Sequence, residues 1–410
     1  MKIAILSSEY PPKWGGVGIV AFFLSNHLAA DGHEVHIITR KQPGKIPPQP
    51  KNVKVSHVSW LKLPMVYITS FTKHAIKKLN SLGVEFDIIH VLTPTTLLKR
   101  YHYKSISTPI VSTLCGTWRN ERQGMRLSEI ALSLTGLNEL GVLYISPFYD
   151  RLEHLAMKHS NAVVVISELE MKLHKKFGKR NLSSRELTIP CGVETRLYSP
   201  EVSSGERKNF KKWLEVDNDE RILLFVGRFV MRKGIIKLIN VFSEVCKTEK
   251  NVTLLLVGDG PLKKKVEKMI NELGIQDKVI ILKDLSFDEL KKCYSNADIF
   301  TFFPTYEGQG LVIIEAMASG TPCVATAEGG IPEMVTHGKS GYVVQQHEFD
   351  KMVRYIKKLL TDDKLLKNFG TSARRATEEA WDWELVTKKY EKLYLEIINA
   401  PKHSSLRPKK

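Results

Sequence analysis

The chain has 410 residues, more than one core of ordinary size holds, so two domains are expected. It is 43% hydrophobic and 26% charged, a globular balance, and no apolar run is long enough to span a bilayer. A net charge of +17 fits an anionic partner (nucleic acid, acidic lipid or a phosphorylated substrate) as well as it fits a plain lysine-rich enzyme surface, and the lack of a zinc finger, RRM signature or basic zipper argues against nucleic acid.

In chain order, KIAILSS opens as a strand and is too short for a cleaved secretion signal. Next comes Ser7 to Gly18, with two prolines and three glycines, then an amphipathic helix from Ile19 to Ala30 closed by Gly32. Gly16-Val17-Gly18-Ile19-Val20-Ala21 matches G-x-G-x-x-G/A by letter, but the first glycine of a dinucleotide fingerprint follows its strand at once. Here Glu9 to Gly15 intervene, and the second strand ends in Thr39-Arg40 where an acid should bind ribose. Two readings remain: a plain turn, or a backbone that must come close to a phosphate-bearing ligand.

HEVHIIT, NVKVSHVS, DIIHVLT, PIVSTL and AVVVIS continue the strand series. A polar stretch between Val193 and Asp219 reads as the linker. RILLFVG, VTLLLVG, KVIIL, DIFTFF, PCVAT and GYVV repeat the scheme. Continuous apolar strands alternating with helices predict parallel sheets covered on both faces, so the fold class is α/β with two doubly wound, Rossmann-like domains. The domains are expected over 1–200 and 201–383. A long amphipathic helix from Trp383 to Ile398 has no sheet position and is expected to pack back on the first domain, with a disordered basic tail over 401–410. Cys115, Cys191, Cys246, Cys293 and Cys323 stand far apart without a CxxC pair, which argues against a metal or disulfide framework and for a reducing, cytoplasmic setting.

Ligands of open α/β sheets sit beyond the carboxyl ends of strands, and two such domains facing each other make a cleft. After RILLFV come Arg228, Lys233 and Gly234: a guanidinium fork and an ammonium suited to a diphosphate, or an ordinary basic loop. After DIFTFF come Glu307, Gly308, Gln309 and Gly310, opening a helix at Leu311 whose N-terminus offers backbone N–H groups. Glu315 lies on that otherwise apolar helix, where a buried carboxylate needs partners such as ligand hydroxyls; Glu307 as a mere dipole partner is the plainer reading. Gly258-Asp259-Gly260-Pro261 and Glu328-Gly329-Gly330 add two more glycine loops at strand ends.

Taken together these residues resemble the family 4 (group 1) glycosyltransferases of the GT-B fold, over nearly the whole chain. Glu307 and Glu315 match the family's E-x7-E element, GRFVMRKG its G-R-…-K-G element and Gly329 to Glu333 a third, while IPCGVE resembles an I-P-N-G-V-D near the domain boundary. The resemblance implies a retaining, metal-independent transfer of a hexosyl group from a UDP- or GDP-sugar to a carbohydrate, lipid-linked or small-molecule acceptor, with no cofactor. Arg228 and Lys233 would hold the diphosphate, Glu315 the ribose, and Glu307 with the backbone of Gly308, Gln309, Gly310 and Leu311 the sugar. Lys283, Asp284 and Leu285 would meet the base, and Gly15, Gly16 and Val17 would approach the diphosphate from the first domain.

Two positions depart from the pattern. Cys115, before Gly116, stands where many members carry histidine, and it cannot copy an imidazole; Thr117 or His90 are the neighbours to which an acceptor role could pass. Cys191 stands where asparagine is usual. The acceptor is expected on the first domain. The basic, apolar stretch Trp118 to Leu155 is read as core helices or as a surface helix meeting an acidic membrane at its cytoplasmic face, and Glu129 and Glu139 favour the core. A non-catalytic sugar-nucleotide binder or an epimerase of the same fold is the competing function.

Overall fold

The computed structural model describes residues 1–12, 15–44, 46–62, 66–93, 96–117, 136–177, 185–200 and 202–400. The basic tail and the first part of the Trp118 to Leu155 stretch lie outside these, as do Lys13 and Trp14 of the opening loop. The chain divides into two compact units, one holding the described residues up to Gly192 with those from Trp383 onward, the other running Val193–Asp382.

The first unit is built on β1 (Lys2–Leu6), β2 (Glu34–Arg40), β3 (Val53–Val58), β4 (Ile88–Thr93), β5 (Ile110–Leu114), β6 (Ala162–Val165) and β7 (Arg185–Thr188). They form a parallel sheet in the order β3-β2-β1-β4-β5-β6-β7. The second unit carries β8 (Arg221–Val226), β9 (Val252–Val257), β10 (Val279–Leu282), β11 (Ile299–Phe302), β12 (Cys323–Thr326) and β13 (Gly341–Val344), parallel in the order β10-β9-β8-β11-β12-β13. The central strands are buried along their length, β1 at Ile3 to Leu6 and β9 at every position, because helices cover both faces.

This order decides where chemistry can occur. In each sheet the chain builds outward in one direction, then crosses back and builds in the other. The switch falls between β1 and β4 in the first sheet and between β8 and β11 in the second. Loops diverge there beyond the carboxyl ends, leaving a crevice for ligand.

Three elements differ from expectation. The first helix starts at Gly16 rather than Ile19, with Gly15 at its N-cap. β7, RELT, has no apolar run because it is an edge strand. The polar stretch read as linker contains a helix, Ser204–Trp213, started by a capping box in which Ser203 Oγ accepts from Glu206 N–H and Glu206 reaches back to Ser203 N–H. Its Phe210 is buried in the second core.

The helix Trp383–Ile398 belongs to the first unit. Trp383 stacks on Phe23 with centroids 6.2 Å apart, and Glu391 Oε1 lies 2.6 Å from His33 Nε2.

Candidate functional site

The loops after β8 and β11 carry the predicted diphosphate and sugar groups, and the structure locks them together. Lys233 closes a short 3-10 turn (Met231–Lys233) ended by Gly234 at φ +70°. A Cβ at Gly234 would overlap the Phe303 carbonyl oxygen, so only glycine lets the two loops touch. Thr305 N–H donates to Arg232 O at 2.9 Å across the same contact. Lys233 Nζ thereby reaches Glu307 Oε2 in an ion pair that is largely shielded, the side chains being 17% and 13% exposed. Phe302 lies under the ammonium, 5.4 Å from its ring centroid.

A third loop, after β12, fixes Glu307 from the other side. Gly330 N–H is shared between Glu307 O at 3.2 Å and Gly308 O at 3.1 Å. Gly329, at φ +59°, packs so closely that a Cβ would overlap the Glu307 carbonyl oxygen. The glycines expected to give ligand access therefore also have a packing reason: each permits one loop to rest on another.

Leu311–Ala318 begins at Gly310, φ +99°, with no side-chain cap and no acid in its first turn. Gln309 is buried just before it. Such a helix start directs backbone N–H groups and a positive dipole end outward. Arg228 is exposed at the end of β8 and makes no side-chain hydrogen bond or ion pair among the described residues.

One turn into that helix, Glu315 accepts a hydrogen bond from Tyr294 Oη at 2.7 Å and another from Tyr198. The residue keeps some surface, but its carboxyl is enclosed, and burial raises its pKa while the two phenols pull it back. Both tyrosines are buried and their own ionisation is pushed well up, so they stay neutral donors. Neither had a signal in the sequence. Tyr198 comes from the start of the unit and Tyr294 from the helix Phe287–Asn296, and only tertiary packing brings them to Glu315.

Lys283, Asp284 and Leu285 follow the edge strand β10, two strands from β8. Lys283 and Asp284 are exposed, Leu285 packs on the core, and Asp284 takes a left-handed φ of +54°.

In the first unit, Gly16 and Val17 open the first helix and Gly15 is its N-cap. A Cβ on Gly15 would meet the Glu9 carboxylate, so the chain brings an acid of its own to that helix end. His90 is wholly buried in the middle of β4. Its Nε2 lies 2.7 Å from Thr113 Oγ1 and its Nδ1 2.7 Å from Tyr394 Oη, and burial lowers its pKa to about 3. It is a neutral core histidine that ties the Trp383–Ile398 helix to the sheet. Cys115 follows β5, with Gly116 at φ +140° and Thr117 buried beyond it. The Cys115 thiol hydrogen-bonds with Cys191; that bond, burial and nearby Glu9 raise its pKa well above that of an ordinary thiol. The two departures from the family pattern thus meet in space, a pairing that two cysteines at unusual positions could have suggested. Among the described residues no three His, Cys, Asp or Glu side chains gather as a metal site, and no helix is long and apolar enough to cross a membrane.

The Lys233–Glu307 pair, the uncapped helix start at Gly310 and a tyrosine-held carboxylate thus stand together where the strand order of a doubly wound α/β sheet reverses. Residues 206–376 match the family model described as glycosyl transferases group 1, and residues 14–197 that described as glycosyltransferase family 4. The chain belongs to the group 1, family 4 glycosyltransferases and has their two-domain GT-B fold.

Among relatives, it is 26% identical to N-acetyl-alpha-D-glucosaminyl L-malate synthase of Bacillus anthracis, over 99% of this chain and 100% of that one. It is 24% identical to alpha-monoglucosyldiacylglycerol synthase of Acholeplasma laidlawii, over 97% and 98%. Among solved structures, sucrose-phosphate synthase of Thermosynechococcus elongatus superposes with a TM-score of 0.80 at 22% identity, over 98% of this chain and 100% of that one. HepE of Anabaena, in complex with UDP and glucose, gives 0.72 at 19% identity, over 97% and 100%.

Proposed function

We propose that this glycosyltransferase moves a hexosyl group from a UDP- or GDP-sugar to its acceptor with retention of anomeric configuration and without a divalent metal. The observation that carries the reading is the Lys233–Glu307 pair beside the uncapped helix at Gly310. An entering diphosphate would compete with Glu307 for the Lys233 ammonium and add the Arg228 fork, and the released carboxylate would turn to sugar hydroxyls. Glu315 would accept from ribose hydroxyls, and Lys283 to Leu285 and the backbone of Gly15 to Val17 remain candidate donor contacts.

Retention is supported by the alpha linkages in the names of both relatives. Front-face substitution fits this residue set: the C1–phosphate bond breaks, the acceptor oxygen bonds C1 on the same face, and the departing phosphate oxygen takes the acceptor's proton. No protein nucleophile enters. The work left to the protein is stabilising the leaving charge and orienting the reactants. The acceptor is proposed to be a carbohydrate, a lipid-linked glycan or a small molecule. Peripheral contact with an acidic membrane from the cytoplasm is supported by the +17 charge and by exposed Tyr144 and Phe148; co-flotation with acidic liposomes at low salt checks it. The binder and epimerase alternatives are not favoured by the family matches.

A panel of UDP-, GDP- and ADP-sugars tests the function. Slow nucleotide release from one donor, abolished in Lys233→Ala, is expected. Donor binding without release under any acceptor would overturn the transferase reading.

A further inference from the structure

The carboxyl edge of the first unit's sheet holds a second concentration of polar groups. β2 ends in Arg40, and its guanidinium lies between two aromatic rings, Cζ 4.8 Å from the Trp60 centroid and 5.5 Å from that of Tyr67. Trp60 is fixed in turn, its Nε1–H donating to Lys41 O at 3.0 Å. Ring faces compensate the charge of a guanidinium but accept nothing from its N–H edge. Arg40 Nε is buried with no hydrogen-bond partner, and no carboxylate among the described residues pairs with the side chain.

Two more orphaned donors belong to the same edge of the sheet. Leu6 pairs with Ile38 in the β1–β2 ladder, and Ser7 N–H continues the ladder by donating to Ile38 O at 3.1 Å, so Ser8 comes level with Arg40. Leu6 and Ile38 share one core layer, and Ser8, in the bend past β1, lies two residues on from Leu6 as Arg40 lies two residues on from Ile38. Ser8 is fully buried and its Oγ has no partner. Gln42, two residues past Arg40, has a buried Nε2 that is also unpaired. Native proteins rarely leave a buried donor unmet, and here three come from neighbouring register positions at the sheet edge where open α/β sheets take their ligands. A guanidinium N–H, an amide N–H and a hydroxyl O–H can all donate to one acceptor-rich group, which a carboxylate or phosphate supplies.

We propose that Arg40, Ser8 and Gln42 form a subsite for an anionic group, a carboxylate or a phosphate, and that this group belongs to the glycosyl acceptor. The acceptor assignment rests on the transferase reading; the anion site does not. The anion comes either from a soluble acceptor or from a lipid headgroup.

Thermal shift and calorimetry on the full chain, with inorganic phosphate and with malonate as probes, test the site. Arg228→Ala separates it from the donor grip. In the Arg228→Ala background, which weakens the donor grip, phosphate and malonate are still expected to bind, and Arg40→Gln added to it is expected to weaken that binding about tenfold or more, as loss of a charge-assisted contact requires. Should Arg40→Gln not fold, Gln42→Ala and Ser8→Ala carry the same comparison, each expected to weaken binding. A second arm measures flotation with phosphatidylglycerol against phosphatidylcholine vesicles. Loss of soluble-anion binding in the variants supports a soluble acceptor, and loss of phosphatidylglycerol binding alone supports a headgroup. Binding in both arms unchanged by these variants, or phosphate binding abolished by Arg228→Ala alone, overturns the site. If anion binding depends on Arg40 while no donor turns over with any acceptor, the subsite stands and the transferase reading fails.

Discussion

Lys233 and Glu307 hold each other across two loops, so each is pre-positioned before any ligand competes for it. Lys233→Ala and Glu307→Gln are expected to cut donor turnover by about 10²–10³-fold, with some fall in melting temperature because each leaves a shielded charge unpaired, which nucleotide-release assays and calorimetry check together. Glu315 makes a different prediction. Burial raises its pKa and the Tyr294 and Tyr198 hydroxyls lower it. A ribose needs the ionised form, so donor affinity should fall as pH drops through the raised pKa. Tyr294→Phe removes one stabilising phenol, pushes the carboxyl higher still, and should move that acid limb of the donor Kd to higher pH. An unmoved limb would mean that Glu315 does not meet the donor.

At the scale of elements, glycines decide how loops pack and one histidine decides how a helix docks. Gly234→Ala must adopt φ +70° and displace the Phe303 carbonyl, so it should destabilise the second unit by about 1–3 kcal/mol or more in chemical denaturation. His90 binds the helix Trp383–Ile398 to β4 and β5 through Tyr394 and Thr113. Its pKa is near 3 folded against about 6.5 unfolded, so the unfolded chain takes up the proton first as pH falls. The contribution of neutral His90 is therefore complete above pH 6.5 and lost as pH falls toward 3, about 2 kcal/mol of it between pH 7 and pH 5. His90→Gln should flatten that part of the stability profile of the first unit, measured by urea melts across pH.

At the scale of the whole molecule, each unit has its own sheet and core, but the first is assembled from both ends of the chain. Residues 193–382 expressed alone should fold cooperatively. Residues 1–192 alone lack Trp383, Tyr390 and Tyr394, three large side chains buried in the full chain. They should give a weakened or absent thermal transition that returns when residues 383–400 are supplied in trans; a first unit equally stable without them would overturn this assignment.

The sequence by itself determined the class of fold, because continuous apolar strands between amphipathic helices can be buried only as parallel sheets covered on both sides. Its motif spacing also marked Arg228, Lys233, Glu307 and Glu315, since each lies a fixed few residues past a recognisable strand or helix start. It could not show the edge strand β7 or the helix in the linker, whose short or polar sequences carry little periodicity. Tertiary structure alone decided the partners. That Lys233 meets Glu307, that Tyr198 and Tyr294 hold Glu315, that His90 is core and Cys115 meets Cys191 all depend on residues distant in sequence. Local pattern reports a residue's own element, whereas the groups that set its charge and position arrive from elsewhere in the fold.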